Sequence, residues 1–263
     1  LVALGAKRGF GVPGESYLAV LDAMVDHANA FDLVLCRQEG GAAYMAAAWG
    51  KLTGEPGLCF VTRGPGATNA TVGIHTAMQD SVPMILFVGQ VGTDVMGREA
   101  FQEVDYTAFF GPLAKWAVQI DHVDRVPEII SRAWTVAMSG RPGPVVVALP
   151  EDMLVATSDR LPCNPVAIPE PAVPEAGAAQ MAAMLAAAER PVMLVGGTRW
   201  TAGSARALES FSAVNDVPVV AAFRFHDIID NHCPSFVGDA GVAMNAYMKL
   251  SLIHISEPTR LSA

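Results

Sequence analysis

The chain has 263 residues, of which 52% are hydrophobic and 16% are charged, and its formal net charge is −9. This apolar content supports one large or two ordinary folded domains and excludes a disordered chain. Because the net charge is negative and Lys and Arg are not clustered, we expect neither a nucleic acid nor a membrane as a partner. Four cysteines without a CxxC pair indicate a cytoplasmic protein with no disulfide framework and no metal site.

Strand and helix patterns alternate over the first 150 residues. Short apolar runs bounded by Gly or Pro are typical of buried strands, and apolar spacings of three and four indicate helices. Strands are predicted at 8–13, 31–36, 57–62, 83–90, 115–120 and 142–150. Helices are predicted at 15–27, 39–54, 70–80 and 124–140, with loops at 63–69 and 91–105. Continuous apolar strands between amphipathic helices predict an α/β fold with a doubly wound, mostly parallel sheet.

The composition changes after this first domain, which we place at 1–155. Residues 156–173 are rich in proline and are predicted to form an extended linker. Alternating helix and strand patterns then predict the start of a second α/β domain at 174–249, which stops early. Residues 250–263 resemble the translation of a sequencing-library adapter. We interpret them as a non-native tail of a truncated chain, with a genuine terminal segment as the alternative.

A carboxylate stands where the second predicted strand passes into a helix. Ligands of open parallel sheets bind at the carboxyl ends of the strands, and Glu39 is followed there by Gly40 and Gly41. One interpretation is a helix N-terminus, which favours a negative charge. The two glycines favour a second interpretation, because they let another molecule approach the backbone closely.

Other candidate positions carry weaker signals. The glycine-rich segment RGPGATN at 63–69 suits an anion but lacks the P-loop Lys and the third glycine of a dinucleotide motif, so a tight structural turn is the alternative. Phe101 and Gln102 in isolation suggest a core aromatic and a surface polar residue. His75 lies on a helix beside apolar residues, and we expect it to be buried.

Five motifs occur in a specific order along the chain: FGVPGE, RQEGGAAYMAAAWGKLTG, TRGPGATNATVGIHTAMQDSVPMILFVGQV, AFQEVD and RPGPVVVALPEDM. Together they resemble the N-terminal, pyrimidine-binding domain of thiamine-diphosphate-dependent enzymes. Within that family the sequence is most similar to the acetolactate synthase large-subunit group. The resemblance covers residues 1–155 closely. It covers 174–249 more loosely, as the start of a truncated, Rossmann-like central domain.

The resemblance implies decarboxylation and carboligation of 2-oxo acids with thiamine diphosphate as the cofactor. In that family the glutamate that matches Glu39 is catalytic, and hydrogen-bonds N1′ of the cofactor's aminopyrimidine ring in a largely apolar pocket. Two substrate-channel positions match Phe101 and Gln102. The further cofactor-side positions match Gly14, Glu15, Gly40, Gly64, Gly66 and Asn69, the last three in a loop at the domain interface.

The resemblance also implies that the site is completed by other parts of the protein. Mg²⁺ and the diphosphate would be held by a C-terminal domain that this chain lacks, and the full-length protein would be a homodimer or homotetramer. This chain alone would therefore hold half a site.

The sequence departs from the acetolactate synthase pattern at three places. Glu151 stands in LPED where the group usually has LPKD, which reverses a charge at the mouth of the substrate channel. The segment FRFHDIIDNHCPSFVGDAG differs from that of flavin-containing members, and VGGTRW has two glycines where flavin-binding members tend to have three. Together these departures argue against bound FAD and against acetolactate as the product. The alternatives are a 2-oxo-acid decarboxylase or carboligase with another acceptor, and a non-catalytic nucleotide-binding or regulatory module.

Overall fold

The computed structural model describes residues 1–170, 172–242 and 244–249. Two compact units are present, and the first ends at Glu170. The interpretation of 250–263 as a non-native tail therefore falls outside the described residues. Within these ranges, no helix combines the length and the apolar character that crossing a membrane would need.

The first unit is a parallel sheet with helices on both faces. Its six strands, in the order β2-β1-β3-β4-β6-β5 across the sheet, confirm the predicted α/β fold within residues 1–170. The strands are β1 (Arg8–Gly11), β2 (Asp32–Leu35), β3 (Gly57–Val61), β4 (Met84–Gln90), β5 (Trp116–Gln119) and β6 (Pro144–Pro150). The helices are α1 (Leu18–Asp26), α2 (Glu39–Thr53), α3 (Gly64–Asp80), α4 (Tyr106–Phe110), α5 (Val126–Met138) and α6 (Glu151–Val155).

The strand order determines which face each helix covers. The chain moves in one direction across the sheet from β2 to β3, β4 and β5, and in the opposite direction from β1 to β2 and from β5 to β6. Because such crossovers are right-handed, α2, α3 and α4 lie on one face and α1 and α5 on the other. Side chains of the strands alternate accordingly: Val61 and Leu86 belong to the first core, and Phe60 and Ile85 to the second.

The carboxyl ends of β1 and β3 form a topological switch point of the sheet. The chain leaves β1 towards one face of the sheet and leaves β3 towards the other. Ligands of open α/β sheets bind at such topological switch points. The segments at this switch point are 12–15, after β1, and 62–64, after β3.

Helices α2 and α3 approach each other so closely that only small residues fit between them. A Cβ atom added to Gly73 would lie 2.4 Å from the Cβ of Ala43, and one added to Gly40 would lie 3.1 Å from the backbone oxygen of Asn69. Buried alanines of both helices form the rest of this core. The contact brings the N-terminal turns of the two helices together at the carboxyl edge of the sheet.

The first unit differs from the predicted elements in three places. Helix α3 begins at Gly64 rather than near residue 70. Pro65 lacks a backbone N–H, and it fits the first turn because the N–H groups of that turn have no partner within the helix. Helix α4, which was not predicted, is capped by the Asp105 carboxylate, which accepts the N–H groups of Thr107 and Ala108 at 3.0 Å each. Helix α6 directly follows β6, and the described residues 156–170 contain neither helix nor strand.

The described part of the second unit contains a smaller parallel sheet in the order β7-β8-β9. The strand β9 was not predicted from the sequence. The elements are α7 (Glu175–Ala187), β7 (Met193–Val195), α8 (Ala202–Asn215), β8 (Val219–Ala222) and β9 (Phe236–Ala240).

The contact between α2 and α3 predicts different outcomes for two Gly→Ala substitutions. We expect Gly73→Ala to lower the free energy of unfolding by about 1–3 kcal/mol, because its new methyl group overlaps Ala43. Gly41→Ala should raise it by up to about 1 kcal/mol, because that position is helical and open. A Cβ on Gly41 would meet only Oε1 of Gln38, at 3.9 Å. Urea unfolding followed by circular dichroism measures both, and equal effects would contradict this packing.

Candidate functional site

Glu39 is the first residue of α2 and is half-buried at the carboxyl end of β2. Its Oε2 atom accepts a hydrogen bond of 3.0 Å from Nδ2 of Asn69. Among the described residues, no donor is bonded to its Oε1 atom. A Cβ added to Gly66 would lie 3.6 Å from Oε1. The structure thus places Gly40, Gly66 and Asn69 near the carboxylate of Glu39. Its Oε1 oxygen remains free of hydrogen bonds from the described residues.

The N-terminal turns of α3 supply three of the predicted positions. Gly64, Gly66 and Asn69 lie in the helix, so the prediction of a loop at 63–69 is wrong. Residues three apart on a helix share one side, which explains why Gly66 and Asn69 both face Glu39. Helical geometry therefore fixes these positions more firmly than a loop would.

Gln102 lies beside the start of α3. The N–H of Gly64 donates to the backbone oxygen of Gln102 at 3.1 Å and to the hydroxyl of Tyr106 at 2.8 Å. Burial raises the pKa of Tyr106 to about 12, so this hydroxyl stays protonated. Gln102 has a φ of 63°, a left-handed conformation that non-glycine residues seldom adopt. Phe101, next to it, is 74% exposed and belongs to neither core.

A carboxylate closes the loop that carries Phe101 and Gln102. Glu103 accepts the N–H of Gly97 at 2.5 Å and that of Ala100 at 2.9 Å, one with each oxygen. These backbone hydrogen bonds lower the pKa of Glu103. The loop is therefore held by charge-assisted bonds at its base.

Arg63 lies at the switch point between β1 and β3. Its guanidinium donates from Nη2 to Glu15 and from Nη1 to Glu151. The side chain is only 9% exposed, against 70% for Glu15 and 42% for Glu151. Next to it, a Cβ on Gly14 would lie 2.5 Å from the Cβ of Thr62, so the ends of β1 and β3 touch. The predicted positions Gly14 and Glu15 therefore lie at this switch point.

Sequence reasoning missed Arg63, and it missed Gln38 as well. Arg63 is separated from its two partners by 48 and 88 positions, so no local spacing connects them. Gln38 caps α2 by accepting the N–H of Gly41 at 2.8 Å. The one available signal for Arg63 was a cation directly after a buried strand. Glu151 was expected at the mouth of a channel, and the structure pairs it with Arg63.

The prediction of a buried His75 is wrong, because its side chain is exposed. The buried face of α3 contains Ala70, Ile74 and Ala77, so position 75 points away from the sheet. All four cysteines lie among the described residues and are free. Burial raises the pKa of the Cys59 thiol, which keeps it neutral. The described part of the chain contains no group of His, Cys, Asp and Glu side chains suited to a metal ion.

A cavity of about 460 Å³ lies on the face of the sheet opposite to α2 and α3. It is lined mainly by apolar side chains of α1, α5 and α6 and of the segment that follows α6. None of the predicted site residues lines it. The chemistry that the sequence indicates is instead concentrated at the open carboxyl edge of the sheet.

Comparison with known proteins shows the family of this fold and site. Residues 1–109 match the thiamine pyrophosphate enzyme N-terminal TPP binding domain, and residues 178–253 match the thiamine pyrophosphate enzyme central domain. The chain therefore belongs to the thiamine pyrophosphate (thiamine diphosphate) enzyme family, as the motifs predicted.

Its relatives include large subunits of acetolactate synthase. The chain is 35% identical to the acetolactate synthase isozyme 2 large subunit of Escherichia coli (strain K12), over 92% of this chain and 44% of that protein. It is also 35% identical to the acetolactate synthase large subunit of Lactococcus lactis subsp. lactis (strain IL1403), over 84% of this chain and 39% of that protein. The chain thus spans less than half the length of these relatives.

The loop at Glu103 predicts an acid-sensitive element. Because the pKa of Glu103 is lowered in the folded protein, its contribution is complete above the unfolded pKa and is lost as the pH falls through the folded value. We expect the amides of Gly97 and Ala100 to lose protection from hydrogen exchange over that acidic range. In Glu103→Gln their protection should be low and independent of pH, and in Glu99→Gln it should match wild type. Wild-type behaviour in Glu103→Gln would contradict this assignment.

Proposed function

We propose that this chain supplies the aminopyrimidine-binding half of a thiamine diphosphate site. The enzyme would decarboxylate a 2-oxo acid and join the product to a second carbonyl compound, as in acetolactate synthesis. The observation that carries this proposal is the carboxylate of Glu39, which has one oxygen fixed by Asn69 and the other free. A glutamate that served only as a charge at a helix N-terminus would not require an amide from a second helix to orient its carboxylate.

The residues present fit an aminopyrimidine ring. Its N1′ atom needs a carboxyl partner, and Oε1 of Glu39 is available for it. Gly66 lets the first turn of α3 approach Thr62, whose Cγ2 would lie 2.9 Å from a Cβ at this position, and it adds no side chain beside Oε1 of Glu39. Gly40 lets α2 approach the backbone oxygen of Asn69, which would lie 3.1 Å from a Cβ there. The free carboxylate oxygen thus provides the hydrogen bond that the ring requires, and the glycines hold α2 and α3 close enough for Asn69 to orient that carboxylate.

Each residue of this cluster has a distinct role in the proposed reaction. Glu39 holds a proton at N1′, and Asn69 fixes the orientation of Glu39. The loop with Phe101 and Gln102 borders the substrate. When bound, thiamine diphosphate supplies a nucleophilic carbon for the 2-oxo acid and an electron sink for decarboxylation.

We further propose that Mg²⁺ and the diphosphate are bound by a domain outside this chain, and that a homodimer or homotetramer completes the site. The length of the relatives supports this proposal, because the chain corresponds to 44% and 39% of the two compared above. The family membership supports thiamine diphosphate itself as the cofactor.

We propose that the second unit binds no FAD. Gly196 follows β7 at the carboxyl edge of the smaller sheet, where a nucleotide would lie. A Cβ on Gly196 would lie 3.3 Å from the ring of Phe225 and 3.0 Å from the Cβ of Ala222. The space beside this glycine is therefore already filled by the chain itself.

A second candidate function is a 2-oxo-acid decarboxylase or carboligase that uses another acceptor. The negative charge of Glu151, beside Glu15 and Arg63, favours this alternative, because three charged groups gather at the edge that the substrate would cross. A non-catalytic nucleotide-binding or regulatory module is a less suitable function. The free oxygen of Glu39 would have no purpose in such a module.

The proposed function is tested by Glu39→Gln in the full-length protein, with pyruvate, thiamine diphosphate and Mg²⁺. We expect turnover to fall by at least about 100-fold while the circular dichroism spectrum is unchanged, because an amide cannot hold the acidic proton. Glu55→Gln, which changes a glutamate beyond the other end of α2, should retain wild-type turnover. Equal turnover in Glu39→Gln and wild type, or no turnover of several 2-oxo acids in wild type, would contradict the proposal.

A further inference from the structure

Three separate strand ends meet at the guanidinium of Arg63. Arg63 itself follows β3, Glu15 follows β1, and Glu151 follows β6. In the sheet, β4 lies between β3 and β6. The ion pair between Arg63 and Glu151 therefore spans the end of β4, although neither residue belongs to that strand. Arg63 therefore connects the carboxyl edge of the sheet from β1 to β6.

The segment after β1 is packed directly on these strand ends. Ser16 Oγ and Thr62 Oγ1 form a hydrogen bond of 2.9 Å. A Cβ on Gly89, near the end of β4, would lie 2.0 Å from the same Oγ of Ser16. Because these contacts leave no free space around Ser16, the backbone next to Glu15 is fixed, and Glu15 pairs with Arg63 from that fixed backbone.

The buried charge of Arg63 requires both carboxylates. Its Nε atom is buried and has no hydrogen-bond partner among the described residues, so the two glutamates hold the guanidinium. Breaking a buried ion pair by removing one partner is strongly unfavourable, because the remaining charge is left uncompensated. Loss of one glutamate should therefore displace Arg63.

Displacement of Arg63 would be transmitted to Glu39 through α3. Arg63 is the residue before the first turn of α3, and its backbone oxygen accepts the N–H of Gly66 at 2.9 Å. Gly66 lies beside Oε1 of Glu39, and Asn69 on the same helix holds Oε2. A shift of the first turn thus moves both contacts of the carboxylate together.

We propose that Arg63 is a positioning residue, which uses its ion pairs with Glu15 and Glu151 to set the first turn of α3 against Glu39. Its effect on the reaction rests on the proposed function, whereas its effect on α3 does not. A lysine cannot replace it, because a single ammonium group lacks the planar fork that reaches two separate carboxylates.

Two glutamates that each pair with an arginine provide a matched test in the full-length protein. Glu151→Gln removes a partner of the buried Arg63, and Glu128→Gln removes the partner of Arg125, whose side chain is 57% exposed. Hydrogen exchange of residues 62–70 is measured without cofactor, and kcat and KM are measured for pyruvate with cofactor. Glu15→Gln, Arg63→Lys and the double variant Glu15→Gln with Glu151→Gln complete the set.

We expect Glu151→Gln and Arg63→Lys to remain folded by circular dichroism, with faster exchange at 62–70. The kcat should fall by about 10-fold or more with KM within about 2-fold, since the misplaced group acts in the chemical step. The double variant should lose less than the product of the single losses, because both glutamates act on one cation. Glu128→Gln should match wild type in every measurement.

Unchanged exchange at 62–70 in both Glu151→Gln and Arg63→Lys would overturn the inference, as would a loss that Glu128→Gln shares. If wild type shows no turnover, the proposed function is wrong, and the exchange of residues 62–70 still decides whether Arg63 positions α3. Faster exchange with an unchanged kcat would show that Arg63 positions α3 without affecting the reaction, and would overturn its proposed role in catalysis.

Discussion

The contact between Gly73 and Ala43 sets the distance between helices α2 and α3, and the candidate site depends on that distance. Glu39 and Asn69 are 30 positions apart in the chain, yet they share a hydrogen bond because their helices meet at backbone range. A larger residue in this contact would separate the two N-terminal turns. The carboxylate would then lose the amide that orients it, although no residue of the site itself had changed.

The sheet places this helix contact at the edge where ligands of open parallel sheets bind. All six strands of the first unit are parallel, so every strand ends at the same edge, and the loops and helix starts gather there. That edge also carries the least relaxed features of the unit: a left-handed Gln102, and a buried Arg63 whose Nε has no hydrogen-bond partner in the described part of the chain. Such features persist only where the surrounding structure holds them in place, and they concentrate at functional sites. The interior of the sheet, which is apolar and regular, supplies the rigidity.

The sequence predicted the parts of this arrangement that depend on local pattern. Buried strands appear as continuous apolar runs, and Glu39 was found because its glycines follow it directly. The start of α3 was missed because Gly64, Pro65 and Gly66 resemble loop residues. The structure uses Pro65 as a helix-starting residue and the two glycines for close contacts with Gln102 and Thr62. His75 was misplaced because one position along a helix turns a side chain by about 100°.

Tertiary contacts account for the remaining gap between prediction and structure. Nothing in the spacing of Arg63, Glu15 and Glu151 indicates that they meet, since the strand order alone brings them together. The same holds for the hydrogen bonds of Gly64 to Gln102 and Tyr106. Family resemblance located most of these segments, but it identified neither the ion pairs nor the helical conformation of 64–69. These two features determine how Glu39 is held.

The central claim is that the free oxygen of Glu39 binds N1′ of the cofactor's aminopyrimidine. The most direct measurement is the nitrogen NMR shift of thiamine diphosphate labelled at N1′ and bound to the full-length protein with Mg²⁺. We expect a shift typical of a hydrogen-bonded or protonated N1′ in wild type, and a shift close to that of the free cofactor in Glu39→Gln. The same N1′ shift in both bound proteins would contradict the account.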